Sequence, residues 1–175
     1  MNVRNLKQTA SKRECLKNLD TESSKILNSK MKTLISEMKR ENTLLAFEED
    51  VKQRSLTDWF KAHTSGFKPL HRYEGTFKLN RDRLVFEGKD VKDQGRLKLD
   101  VPLKNVTDVY YGFDNVFKGR EERAWPWNKP LRIKFRQDGK EKTVYLFVNF
   151  HYRYGIRSSD NEEIYRRLLE SLRDI

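Results

Sequence analysis

The segment Gly112–Lys129, GFDNVFKGREERAWPWNK, is the longest stretch without a helical or strand period, and it gathers residue types suited to binding. Lys118, Arg120, Arg123 and Lys129 are interleaved there with Phe113, Phe117, Trp125 and Trp127. Long unpatterned segments inside compact domains tend to carry function. Tryptophan beside a cation suits a membrane interface or an interaction hot spot, because the ring buries apolar area while the cation draws in an anion. Stacking on nucleic-acid bases is a third use of the same groups. The structural alternative is a lid: Trp125 and Trp127 fold inward, Pro126 and Pro130 stiffen the turn, and the charges stay solvated. Glu121 and Glu122 weaken the attraction for phosphates.

A second cluster is Phe150–Arg157, FHYRYGIR. Arg153 and Arg157, with His151, Tyr152 and Tyr154, have the chemistry of an anion site near the start of a final helix, where free N–H groups favour negative charge. The structural alternative is a loop whose tyrosines cover the core and whose arginines pair with Asp160 or Glu162.

Catalytic spacing is missing. His63, His71 and His151 form no H-x-x-x-H or His/Cys pattern, so zinc is not expected. There is no G-x-S-x-G nucleophile turn and no glycine-rich phosphate loop. The single cysteine, Cys15, has no partner for an internal disulfide, which fits a reducing cytoplasm. The expectation is therefore no enzyme, no cofactor and no metal.

Positioning these residues falls to two regions, 1–65 and 66–175. All 8 glycines and 4 prolines lie beyond residue 65. The preceding stretch, rich in Leu, Lys, Glu and Ser, predicts a helical arm, with the first 15–20 residues or so frayed. Leu27, Met31, Leu34, Ile35, Met38 and Leu45 keep a spacing that falls on one stripe at 3.6 residues per turn. The helix is expected over most of residues 22–63, with possible breaks at Asn42-Thr43 and Ser55. Its stripe needs a cover, either the rest of the chain or a second copy paired in a coiled-coil dimer.

Beyond Gly66 the period changes to two. Tyr73–Leu79, Leu84–Phe86, Leu97–Leu103, Val106–Tyr111, Leu131–Phe135 and Val144–Val148 read as strands, with a seventh conceivable at Val116–Phe117. Asp138-Gly139 signals a two-residue turn, since both residues tolerate positive φ. Val144, Leu146 and Val148 alternate with Tyr145 and Phe147, so that strand should be covered on both faces. Asp160 followed by Glu163 reads as a capping box opening a helix over 161–174, with Ile164, Leu168 and Leu172 on its apolar face.

This succession resembles the pleckstrin-homology-like superfamily, its bacterial and GRAM-type members most. YEGTFKLNRDRLVFEG (Tyr73–Gly88) is similar to the first hairpin of such domains, and LDVPLKNVTDVYYG (Leu99–Gly112) to the segment after it. PLRIKF, TVYLFV and DNEEIYRRLLESL (Asp160–Leu172) resemble the last strands and helix. The resemblance covers about residues 70–175. It implies a small antiparallel β-barrel at 66–175 capped by the C-terminal helix; with the N-terminal helical arm read from periodicity, which the resemblance does not cover, the architecture expected is α+β. Members mostly bind, many of them phosphoinositides through basic residues between the first two strands. Here that loop reads as Asn80–Arg83, too short for such a cluster, so phosphoinositide specificity is not carried over.

The charge leaves the partner open. A net +11 and a pI near 9.7 favour polyanions, yet residues 1–65 hold 13 basic and 9 acidic groups and neither region is a block of one sign. No apolar run is long enough for a membrane helix, and MNVRNLKQTASKREC does not read as a secretory signal. The function expected is a cytoplasmic, non-enzymatic binding module whose partner is a protein or an anionic membrane surface. A homodimer through the N-terminal helices and nucleic-acid binding are the alternatives.

Overall fold

The computed structural model describes residues 37–53, 68–119, 124, 126–153, 156–173 and 175, without the side chains of Glu37 and Arg153. The chain divides into two units, Met1–Glu37 and Met38–Ile175; apart from its last residue, the first lies outside the described residues. Along the second run β1 (Glu37–Phe47), α1 (Glu48–Lys52), β2 (Tyr73–Asn80), β3 (Arg83–Asp90), β4 (Arg96–Pro102) and a 3-10 turn at Leu103–Asn105. Then come β5 (Val106–Tyr111), β6 (Leu131–Gln137), β7 (Lys140–Phe147), β8 (His151–Arg153), β9 (Ile156–Ser158) and α2 (Asn161–Arg173). Seven strands form an antiparallel sheet in the order β4-β3-β2-β1-β7-β6-β5, and β8 and β9 pair only with each other.

Two parts of the expected architecture are overturned. The helical arm does not extend over residues 37–47, which form β1, and the sheet is open, with β4 and β5 as its two edges, rather than a closed barrel. The rest of the proposed arm, with the coiled-coil pairing expected of it, lies outside the described residues. The misreading has a physical origin. Met38 and Leu45 are buried in the same cluster although seven residues apart. That spacing matches two turns of helix, whereas in a regular strand an odd separation puts residues on opposite faces. Asn42 resolves the conflict: its φ of 50° is left-handed, and the irregularity shifts the alternation. Leu44, Leu45, Ala46 and Phe47 then form an unbroken apolar run because β1 is covered on both sides.

The same strand renumbers the hairpins. Arg81-Asp82 turns between β2 and β3, in the register Leu79↔Leu84, so Asn80–Arg83 does not join the first two strands. That connection is residues 48–72. No strand forms at Val116–Phe117 either; this pair lies in a bend. Other local readings hold. Asp138 and Gly139 have φ of 54° and 72°, joining β6 to β7 with Gln137 opposite Lys140. β7 is buried on both faces from Val144 to Phe147.

The main core lies between the sheet and α2. Phe77, Phe86, Leu103, Ile133, Phe135 and Val144 pack there with Ile164 and Leu168 of the helix, all fully or almost fully buried. A smaller cluster on the other side joins Leu44 and Ala46 of β1, Tyr145 and Phe147 of β7, Val51 of α1, and Phe117 and Ala124 of the long loop. Where β2 meets β3 the backbones come too close for a side chain: a Cβ at Gly75 would stand 2.1 Å from the carbonyl oxygen of Glu87.

Candidate functional site

The long loop after β5 is held as a cover by one carboxylate. Asp114 accepts backbone N–H groups from Val116 at 2.9 Å and Phe117 at 2.8 Å, an Asx-type turn. Its other contacts come from the sheet beneath: Arg132 Nη1 donates at 2.6 Å and the Tyr145 hydroxyl at 2.9 Å. Burial works against the Asp114 charge, but these donors outweigh it and hold the carboxyl below its usual range. Burial, and then the Asp114 acceptor, pushes the Tyr145 phenol well up. Arg132 also reaches Asp108 at 2.8 Å and lies over the Tyr110 ring at 4.9 Å. The anchored turn buries Phe117 completely, its ring 5.2 Å from Tyr145 and 5.8 Å from Phe147. This half of the loop thus covers the core through Phe117, whereas the lid alternative rests on Trp125, which lies outside the described residues, and Trp127, which is exposed.

The far end of the loop behaves differently. Trp127 is 59% exposed, on a turn fixed from behind. The buried Asn128 accepts a 2.6 Å hydrogen bond from Ser159 Oγ, and the carbonyl of Lys129 accepts one of 2.8 Å from Asn161 Nδ2. Ser159 and Asn161 follow β9. These bonds thus bring the two clusters singled out in the sequence, Gly112–Lys129 and Phe150–Arg157, side by side at the start of α2.

The β8–β9 ribbon leaves the sheet at Asn149, whose φ of 52° turns the chain at the end of β7. Its base is tied down: Phe150 N–H donates to Asn42 O at 2.8 Å and Asp160 N–H to Val148 O at 2.9 Å. Tyr152 stands opposite Arg157, and Arg153 opposite Ile156. Tyr152 is 66% and Ile156 58% exposed. Partial burial draws the Arg157 guanidinium down from its ordinary value, with Tyr152 opposing; it remains a cation at any physiological pH.

Of the residues nominated from sequence, Lys118, Trp127 and Lys129 are exposed and Arg157 is half-buried. Lys129 places its ammonium 5.7 Å from the centre of the Tyr111 ring. Arg153 contributes β8 backbone; Arg120, Arg123 and Trp125 lie outside the described residues. Asp160 takes Arg40 at 2.8 Å and Asn149 at 3.0 Å, and Glu162 pairs with Arg166. Sequence reasoning missed Arg40, because its stretch read as helix, and Asn128 and Asn161, whose partners are distant in the chain. Asp114 carried a legible signal, an Asp two and three residues before the amides it caps.

A second polar grouping lies by a cleft of about 420 Å³ lined by Glu41, Asn42, Leu44, Lys68, Glu74, Gly75, Thr76 and Phe150. Glu74 Oε1 receives Lys68 Nζ at 2.7 Å and His71 Nε2 at 2.8 Å, while His71 Nδ1 faces Pro69 O at 2.7 Å. The His71 bond is the main cause holding the Glu74 carboxyl at about 2. Both ring nitrogens of His71 thus lie within hydrogen-bond distance of oxygens of the chain. Among the described residues no group of His, Cys, Asp and Glu could hold a metal ion, and no helix is long and apolar enough to cross a membrane. No protein-family model and no curated protein matches the chain.

Proposed function

We propose that the protein is a non-enzymatic, cytoplasmic binding module that engages a protein or an anionic surface through the Trp127 turn and the β8–β9 ribbon. The observation that carries this reading is the pair of hydrogen bonds joining Asn128 to Ser159 and Lys129 to Asn161, which tie the Trp127 turn to the chain after β9, with Trp127, Tyr152 and Ile156 all exposed. Large apolar side chains on a rigidly held base, with Lys129 and Arg157 beside them, are the composition of an interaction hot spot. Membership of the pleckstrin-homology-like superfamily fits this reading. Its support is the succession of seven antiparallel strands followed by a C-terminal helix, with residues 37–47 supplying the first strand.

The test is proximity cross-linking of the full chain in its native cells, compared with the variants Trp127→Ala and Tyr152→Ala. Both variants should keep the parent's thermal midpoint and lose the same set of neighbours. Retention of every neighbour by both would place the working surface elsewhere.

A further inference from the structure

We infer that the outer edge of β4 is a self-association surface. Its occupant is the β4 edge of a second copy of this chain, running antiparallel and centred on Leu99. This surface is separate from the Trp127 turn and does not depend on the function proposed for that turn. An edge strand presents a row of unpaired N–H and C=O groups, a template for another strand unless something blunts it. The two edges of the sheet differ in this respect. β5 is interrupted by a register shift between Val106 and Asp108, and α2 packs against it, with the Tyr111 and Tyr165 rings 6.1 Å apart. β4 keeps one register with β3 from Arg96 to Pro102, and among the described residues no strand pairs with its other side.

Backbone bonds at both ends of the β3–β4 pairing set which groups face outward. Asp90 N–H donates to Gly95 O and Leu103 N–H to Asp82 O, both at 2.8 Å. In an antiparallel pair every second residue exchanges hydrogen bonds with its partner. Leu97, Leu99 and Val101 therefore turn their backbone groups to β3, while Arg96, Lys98 and Asp100 turn theirs outward. The missing N–H of Pro102 falls at the end of the strand on the outward side, where it costs β3 no bond.

The side chains make this edge complementary to itself. Leu97, Leu99 and Val101 pack against the core, and Arg96, Lys98 and Asp100 lie on the other face. An antiparallel pair centred on Leu99 sets Lys98 opposite Asp100 of the second copy and Asp100 opposite its Lys98, both at hydrogen-bonded positions. Leu97 then meets Val101, and the two Leu99 residues meet each other. Centring the pair on Lys98 or on Asp100 instead sets two like charges face to face, which is destabilising. Charges already alternate across the sheet: Lys78 lies 2.9 Å from Glu87, Glu87 3.5 Å from Lys98, and Arg83 3.1 Å from Asp100. Pairing continues the row from one copy into the next as Lys78, Glu87, Lys98, Asp100, Arg83, with the sign changing at every step. A central lysine alone is a device against edge pairing; here the aspartate two residues on answers it.

The experiment is analytical sedimentation of the full chain over a range of concentrations, with charge-swapped variants. The parent should show a monomer–dimer equilibrium. Lys98→Glu and Asp100→Lys each set two like-charge pairs across the edge, and each should raise the dissociation constant by about tenfold or more. An equal mixture of the two variants should associate, because each reversed charge then meets the other reversed charge. The double variant, Lys98→Glu with Asp100→Lys, should dimerise as the parent does. Hydrogen exchange of the unmodified chain is independent of any substitution. The amides of Arg96, Lys98 and Asp100 should gain protection as concentration rises, while those of Leu97, Leu99 and Val101 are protected throughout. A parent that stays monomeric at every concentration, or whose outward amides gain no protection, overturns the assignment. Dimers that survive both single variants overturn it as well and place the contact elsewhere in the chain, the N-terminal region included.

Discussion

Asn161, the first residue of α2, completes the hydrogen bonding of Val148 at the end of β7: its Oδ1 accepts the Val148 N–H at 2.8 Å. Its Nδ2 donates to the carbonyls of Leu146 and Lys129, both at 2.8 Å, and the residue is 1% exposed. One amide thus joins the helix, the last strand of the sheet and the turn that presents Trp127. Asn161→Ala removes all three bonds and leaves buried backbone groups without partners, each a loss of about 1–3 kcal/mol. Urea unfolding should show a destabilisation of at least about 2 kcal/mol. Asn161→Asp keeps the acceptor for Val148 but turns an oxygen on two carbonyls, and should be no more stable than the alanine variant.

Phe117 separates the two halves of the long loop. It is fully buried against Tyr145 and Phe147, so Phe117→Ala should cost about 3–5 kcal/mol. Trp127→Ala, at a site 59% exposed, should stay within about 0.5 kcal/mol of the parent. Denaturant titrations of the two variants decide the matter, and equal losses would mean that both rings belong to the core.

Asn42 tests the left-handed step in β1. Its φ of 50° lies in the region that a Cβ disfavours by about 1–2 kcal/mol and that asparagine and glycine tolerate. Asn42→Gly should be nearly neutral, while Asn42→Val should lose about 1–2 kcal/mol or more. If valine is tolerated as well as glycine, the alternation is not reset at this residue.

Glu74 gives the fold a pH dependence of known sign. Bonds from His71 and then Lys68, against the opposing effect of burial, hold its carboxyl at about 2, below its ordinary 4.5. A carboxyl depressed in the folded state stabilises the fold above its unfolded value, and the contribution is lost as pH falls toward the folded value. Thermal midpoints of the parent and Glu74→Gln should therefore differ by a constant amount above about pH 5 and converge on approaching pH 2. Convergence on raising the pH instead would contradict the assignment.

What the sequence by itself determined was local. The hairpins of the sheet follow from alternation over a few residues, the Asp138-Gly139 turn from two residues that accept positive φ, and α2 from the stripe Ile164, Leu168 and Leu172. In each case the partners lie close in the chain or repeat at a fixed period. The burial of β7 on both faces was legible because Tyr145 and Phe147 stand between Val144, Leu146 and Val148. The identity of β1 was not. A strand has no hydrogen bonds of its own, so its stability depends on the neighbours β2 and β7, and the seven-residue step from Met38 to Leu45 looks helical until Asn42 resets the face. The proposed binding surface divides the same way. Composition marked Trp127 and the segment from Tyr152 to Arg157. Only the tertiary structure showed Phe117 plugging the core while Trp127 stays exposed, and set the two segments together through Asn128, Ser159 and Asn161. The Arg40–Asp160 bond, spanning 120 residues, is of the same kind: its geometry exists only once the sheet has brought β1 against the start of α2, and no periodicity records it.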